Sequence, residues 1–266
     1  MSVHPTAIVE AGARLGEGVR IGPYCVVGAE VELGEDVALE AHVALAGATR
    51  IGARTRVWPF ASLGHRPQDL KYRGEPTRLE IGPDCMIREH VTMNPGTEGG
   101  GGLTRVGAGG LFMVGTHVAH DCRIGDRVIL ANNAVLAGHV EVADEAILGG
   151  HSAVHQHVRI GRGAMVGGMT GVERDVIPFG SVVGDRARLS GLNLVGLKRR
   201  GASREAIHRL RALFRDLFAP GGAALAKRAE DARAAYADAP LAMEVLDFLS
   251  TGGRRSFCVP GRDAEL

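Results

Sequence analysis

The chain has 266 residues, with 31 Lys and Arg against 30 Asp and Glu, a formal net charge of +1. That balance carries no bias toward nucleic acid or a membrane surface, and no apolar run reaches the roughly 18 residues of a membrane span. A composition that is 45% hydrophobic but 4% aromatic, with 39 glycines, points to a narrow core of Val, Ile, Leu and Ala.

The opening MSVHPTAIVE lacks the basic region and apolar run of a signal peptide. Cys25, Cys85, Cys122 and Cys258 have no CxxC spacing, so a reduced, cytoplasmic chain is expected. From Val3 to Leu63 every sixth residue is aliphatic. Ile81, Ile87 and Met93 resume the same phase, and from Val106 to Val172 the step of six returns after a slip of one residue. Helices repeat at 3.6 residues and alternating strands at 2, so neither explains this period. A parallel β-helix does, with three hexads per triangular coil of about 18 residues. Glycines that follow many of the aliphatic positions are expected at corners with positive φ. Cys25, Cys85 and Cys122 share one phase of the repeat and read as small inward-facing core residues.

Two segments interrupt the hexads: 64–80 (GHRPQDLKYRGEPTRLE) and 94–105 (NPGTEGGGGLTR). Both read as looped inserts on a rigid scaffold, where binding residues often reside. The GGGG run lacks a following GK[ST], so it reads as a flexible lid or spacer and not a phosphate loop.

After the second insert, THVAHDCRIG (116–125) places His117, His120 and Asp121 on a scaffold that elsewhere prefers Ala, Val and Gly. Residues one coil apart stack roughly 4.8 Å from each other. That register stacks His120 on Gly138 and Gln156, and Asp121 on His139 and His157, with His117 and His155 nearby. Two chemistries suit the cluster. One is metal binding by neutral imidazoles, although no histidine pair here has the five-residue spacing of zinc-binding β-helix hydratases. The other is general-base catalysis of acyl transfer, with His120 as base, Asp121 orienting it and the Gly138 N–H receiving an oxyanion. No covalent intermediate is needed, because an acyl group can pass directly to its acceptor.

The hexads end near residue 190. Residues 203–218 form an amphipathic helix with Ser203 as N-cap and Ile207, Leu210, Phe214 and Leu217 on one face. PGG at 220–222 ends it, 223–239 and 241–250 read as further helices, and the tail from Thr251 looks irregular. Between 198 and 215, Lys198, Arg199, Arg200, Arg204, Arg209, Arg211 and Arg215 face a single acid, Glu205. Such a run offers a docking face for an acidic partner.

HVAHDC, QDLKY, ANNA, AGHV and LKRRG, in the setting of these hexads, resemble the acyl-carrier-protein-dependent UDP-N-acetylglucosamine O-acyltransferases, which open lipid A biosynthesis in Gram-negative bacteria. The likeness spans essentially the whole chain. It implies a mainly β protein, a left-handed parallel β-helix over 1–190 and a C-terminal α-helical domain over 191–266. It implies a homotrimer with active sites between subunits, no cofactor and no metal, and an acyl donor on the phosphopantetheine arm of acyl carrier protein. The family's catalytic positions fall on His120, Asp121 and Gly138. Its sugar-nucleotide contacts fall on Gln68, Asp69, Lys71, His117, His139, His155, Gln156, Asn193 and Arg200, and its pantetheine contact on Arg199. Gly168 falls where a small residue leaves the acyl groove long, although Met169 or Arg186 could close it from nearby.

Two positions depart from the family pattern. Asn94 replaces a familiar histidine near the acceptor sugar, which leaves open a 3-amino analogue of the sugar nucleotide as acceptor. Val195 replaces a ribose-contacting glutamate. The competing readings are an acetyl-CoA-dependent hexapeptide acetyltransferase, a zinc hydratase and a non-enzymatic solenoid. The sister N-acyltransferase carries an extra domain ahead of its hexads; hexads that start at residue 3 make that reading less expected here.

Overall fold

The computed structural model describes residues 1–261 except Pro220 and Gly222. Part of the expected PGG turn, and residues 262–266 of the tail, lie outside the described residues.

Two-residue strands recur every six residues and wind into a left-handed parallel β-helix with three faces. The first face begins at Ser2–Val3 and has eleven strands, the second begins at Ile8–Val9 with nine, and the third begins at Arg14–Leu15 with eight. Within each strand the second residue points inward: Val27, Val57, Leu63, Ile87, Val118 and Leu136 are all fully buried. Each such side chain removed from water contributes about 1.5–3 kcal/mol, and coil after coil repeats the gain. Cys25, Cys85 and Cys122 are free, buried thiols in the same interior, and burial pushes the Cys122 thiol up to about 12.

The register follows the expected 18-residue coil, as in Arg20↔Ala38. Across the first insert Arg56 pairs with Met86, and across the second Thr92 pairs with His117. Both inserts are shorter than the sequence suggests. Residues 78–80 and 103–105 belong to the four-residue strands Arg78–Ile81 and Leu103–Val106, which pair with each other residue by residue. Burial of Leu79 and Thr104 in the coil explains their recruitment from the loops.

The glycine expectation is corrected. Positive φ occurs three residues after the inward aliphatic position, at corners occupied by Asp36, His42, Asp121, Asn133 and His139 among others. Glycines directly after the aliphatic residue serve close approach between coils. A β-carbon at Gly52 would lie 2.5 Å from the Pro83 nitrogen, and one at Gly82 2.6 Å from the Gly107 carbonyl carbon.

The three faces differ outwardly. On the third, Arg14, Glu32, Arg50, Glu80 and Arg105 stack in alternating charge, followed by Arg123, Glu141 and Arg159. Arg14 and Arg50 both pair with Glu32, and Arg105 reaches Glu80 at 3.5 Å. The first face instead turns out Leu111, Ile129, Ile147 and Met165.

The β-helix closes with an antiparallel pair, Gly180–Val183 against Arg188–Leu192. Among the described residues four α-helices follow: α1 (Leu194–Arg199), α2 (Arg204–Phe218), α3 (Leu225–Ala232) and α4 (Pro240–Ser250). Ser203 caps α2 as expected, its hydroxyl accepting from the Ala206 N–H at 3.1 Å. Ile207, Leu210, Phe214 and Leu217 are buried as the period requires. Among the described residues no helix is long and apolar enough to cross a membrane.

Residues 251–261 are irregular as the sequence suggested, apart from one isolated β-bridge, but they are anchored to the β-helix. Arg159 bonds the buried carboxylate of Asp175 at 2.7 Å and donates to Thr251 Oγ1 at 3.0 Å. Asp175 in turn pairs as a β-bridge with Phe257, through Asp175 N to Ser256 O and Cys258 N to Asp175 O, each 2.8 Å. The chain from 251 to 258 is thus strapped across the end of the β-helix.

Candidate active site

His120 and Asp121 sit at the corner between the second and third faces, just after the strand His117–Val118. Asp121 adopts φ +61°, a left-handed conformation that Asp tolerates better than most residues. Its N–H donates to Thr104 Oγ1 at 2.7 Å. Three donors hold its carboxylate: Thr97 N–H at 2.8 Å, Thr97 Oγ1 at 2.7 Å and His120 Nδ1 at 2.7 Å. Burial alone would push the Asp121 carboxyl up, but the bonds from His120 and Thr97 outweigh it and hold it below the usual carboxylate range.

An ionised Asp121 accepts the His120 Nδ1 proton, which leaves the lone pair of neutral His120 on Nε2. Gly138 lies directly beneath the ring: a β-carbon there would stand 2.5 Å from Cε1 and 2.7 Å from Nε2. Among the described residues no acceptor takes the Gly138 N–H. His139 meets the His120 ring edge-on at 5.1 Å and stacks on His157 at 4.5 Å. Burial lowers His139, helped by His120 and opposed by Asp121; burial also lowers His157, with His139 and Arg254 adding to it. His117 is lowered by burial and His120, and its Nδ1 meets Thr92 Oγ1 at 2.7 Å.

The second insert is no spacer. Thr97 carries two of the three bonds to Asp121, and the short turn Glu98–Gly100 lies against its carboxylate. A β-carbon on Gly100 would approach the Asp121 carboxyl within 2.0 Å. The glycine run lets the loop close over Asp121.

A cleft of about 760 Å³ opens beside this pair, lined by Asp69, Lys71, Thr97, Asp121, His139 and Arg254 among others. The first insert therefore delivers Asp69 and Lys71 to the same place, with Asp69 Oδ1 accepting from the Lys71 N–H at 2.9 Å. Gln68 is exposed on that insert. Asn94 is buried, donates to the carbonyls of His65 at 3.1 Å and Arg66 at 3.4 Å, and leaves Oδ1 without a partner among the described residues. His155 and Gln156 are exposed one coil further on.

Other expected residues lie elsewhere on the chain. Asn193 caps α1, accepting from Gly196 N at 2.9 Å and donating to Gly163 O at 3.0 Å. Arg200 follows α1 and reaches Glu145 at 3.3 Å. Glu145 and Gly163 stand at the corner between the third and first faces, away from His120. Arg199 is exposed nearby on α1. Gly168 stands at the remaining corner, over the Gly150 carbonyl. Arg186 is engaged by Glu173 at 2.5 Å, and Val195 is exposed on α1. Of the basic run, Arg209 is paired with Asp238 at 2.5 Å and Arg200 with Glu145, whereas Lys198, Arg199, Arg204, Arg211 and Arg215 are exposed without an ion pair among the described residues.

Sequence reasoning missed Thr97, Thr104 and the two arginines Arg254 and Arg255, which reach His157 and His155 from the tail. Only the RR doublet hinted at the last pair. His120, Asp121 and His139 also bring ligand-type atoms within 4.8 Å of one another, a spacing a metal ion could use. The three bonds already spent on the Asp121 carboxylate suit orientation of His120 better.

Comparison with known proteins gives the family of the chain. The chain is 61% identical over 259 residues to the acyl-[acyl-carrier-protein]–UDP-N-acetylglucosamine O-acyltransferase of Methylobacterium radiotolerans, covering 97% of this chain and 95% of that one. The chain belongs to this acyltransferase family, and it is an enzyme. The Caulobacter vibrioides acyltransferase of the same name is 53% identical over 263 residues, covering 99% of this chain and all of its own. Residues 175–258 match the second domain of the UDP-N-acetylglucosamine O-acyltransferase family. A crystal structure of a UDP-N-acetylglucosamine acyltransferase superposes with a TM-score of 0.94 at 40% identity, covering 98% of this chain and 100% of that chain. The Acinetobacter baumannii structure gives 0.93 at 38%, covering 96% and 99%.

Proposed function

We propose that this acyltransferase moves an R-3-hydroxyacyl group from acyl carrier protein to the 3-position of UDP-N-acetylglucosamine, the first step of lipid A biosynthesis, in the cytoplasm. The observation that carries the mechanism is the 2.7 Å bond from His120 Nδ1 to an Asp121 carboxylate already tethered by Thr97. It leaves Nε2 as the basic atom. That nitrogen takes the proton of the sugar 3-hydroxyl as its oxygen attacks the thioester carbonyl carbon. The carbonyl electrons move onto oxygen, and the Gly138 N–H stabilises that charge. Collapse expels the thiolate of the phosphopantetheine arm, which takes the proton back from His120. The products are the 3-O-acyl sugar nucleotide and free carrier-protein thiol, with no cofactor or metal in any step.

One chain supports only part of this contact set, because Asn193, Arg199 and Arg200 stand at a different corner from His120. A homotrimer with sites between subunits joins the two groups, as closed cyclic symmetry allows. The outward Leu111, Ile129, Ile147 and Met165 and the exposed Met169 offer an apolar surface for that assembly. The five unpaired cations of α1 and α2 suit an acidic carrier protein. Gly168 leaves room for a long acyl chain.

A second reading concerns the acceptor. The unpartnered, buried Oδ1 of Asn94 can accept from a 3-amino group as well as from a hydroxyl. Purified protein incubated with 3-hydroxyacyl carrier protein and either sugar nucleotide, with products read by mass spectrometry, decides between them. Ester from the ordinary sugar supports the main reading. Amide alone moves the acceptor to the diamino sugar. No product from either refutes both.

A further inference from the structure

The tail from 251 to 258 is built more tightly than a chain end requires. Arg159 holds Thr251 at 3.0 Å and the buried Asp175 at 2.7 Å, and Asp175 is bridged to Phe257. Gly253 packs onto that ion pair so closely that a β-carbon would lie 2.6 Å from Asp175 Oδ2 and 2.7 Å from Arg159 Nε. Between these anchors stand Arg254 and Arg255, aimed at the histidines of the site.

Arg255 donates to the Gln156 carbonyl at 2.9 Å and to His155 Nδ1 at 2.6 Å. A guanidinium can only donate. His155 Nδ1 must therefore accept, and the proton of the neutral ring sits on Nε2, directed away from the strap. The 3.5 Å approach of His155 Nδ1 to the Gln156 carbonyl is then a contact of two acceptors, bridged by Arg255. Arg254 lines the cleft beside Lys71 and His139, is exposed, and among the described residues its guanidinium has one hydrogen-bond contact, to His157 Nε2 at 3.4 Å. Neither Arg254 nor Lys71 has an ion pair among the described residues. An always-charged planar fork, carried at a cleft wall by an anchored backbone and without a carboxylate partner among the described residues, matches the geometry of a phosphate oxygen pair.

We propose that the 252–255 strap orients the sugar nucleotide: Arg254 binds its diphosphate, and Arg255 fixes His155 as an Nε2–H donor toward the same ligand. Neither residue touches the reacting atoms; Arg254 is a binding residue and Arg255 a positioning residue. This rests on the proposed sugar-nucleotide acceptor.

The test is steady-state kinetics of the full chain and its R254A, R254K and R255A variants, varying UDP-N-acetylglucosamine and acyl carrier protein in turn. R254A raises KM for the sugar nucleotide on the order of tenfold to a hundredfold, the worth of one charge-assisted hydrogen bond, with kcat and melting temperature little changed. R254K recovers most of the loss, because a point charge still meets phosphate, and R255A raises the same KM. A shift in KM for the carrier protein instead, or in neither, overturns the proposal. Calorimetric titration with UDP-N-acetylglucosamine alone reads the contact without turnover. Wild-type protein that binds but yields no product refutes the proposed reaction and leaves the strap standing if R254A binds more weakly. Equal binding by R254A refutes the strap, and wild-type protein that binds nothing refutes both.

Discussion

The imidazole of His120 occupies the space in which residue 138 would carry a side chain, with Cε1 only 2.5 Å from that point. Gly138→Ala must displace the ring, and the ring cannot move without straining its bond to Asp121. The expected outcome is a fall in kcat of about 10² or more, the scale of a misplaced general base, with the β-helix still formed by circular dichroism. An alanine variant with unchanged kcat would show that the ring position is irrelevant.

The Asp121 tether can be dissected by substitution. His120→Ala removes the base and should lower kcat by roughly 10² to 10⁴. Asp121→Asn keeps the shape but removes the charge that orients Nδ1–H, and a loss of about 10² or more is expected. Thr97→Val removes one hydroxyl bond to the carboxylate and should cost several-fold, about one hydrogen bond's worth. The graded order is the measurement: kcat for Thr97→Val as low as for His120→Ala would contradict Thr97 acting through Asp121.

Stability should depend on pH through three half-buried histidines. Folding lowers His117, His139 and His157 below their usual value of 6.5, with burial the first cause for each. Their neutral forms are thus favoured in the folded chain. The stability they contribute is present above pH 6.5 and is lost as pH falls through the lower folded values. Melting temperature should therefore decline between pH 7.5 and 5, and His139→Gln should flatten that decline. A profile that rises on acidification would refute the sign.

Arg159 and Asp175 predict the largest structural effect. Asp175 is fully buried, and burial raises its carboxyl while Arg159 opposes the rise. Arg159→Ala leaves a buried acid without its cation, at a cost of about 3–5 kcal/mol. Denaturant unfolding measures this, and a loss near zero would mean the tail is not anchored there.

The β-helix was legible because every coil repeats one demand, a branched aliphatic residue pointing inward. The His120, Asp121 and Gly138 stack was legible for the same reason: a fixed coil length converts sequence distance into height. Glycine misled because it answers two different needs. At the corners the left-handed position is filled by Asp, Asn and His, by glycines such as Gly12 and Gly109 and by bulkier residues such as Phe60, while the glycines of the third face answer a lack of room between coils. Thr97 and the Arg254–Arg255 pair were not legible because inserts and tails carry no period. Their places are set by local contacts, to Asp121 in one case and to Asp175 and Arg159 in the other.

The alternating charges on the third face bear on how such a chain avoids misassembly. Every coil offers nearly the same aliphatic interior, so the interior alone discriminates poorly between a coil's rightful neighbour and the next one along. Arg14, Glu32, Arg50, Glu80 and Arg105 supply the missing distinction. A coil that docked on its next-but-one neighbour would set Arg14 against Arg50, or Glu32 against Glu80, and repulsion would replace attraction over the stretch from Arg14 to Arg105. The ladder acts as a parity check on winding, written in surface residues that add little to the stability of the finished coil.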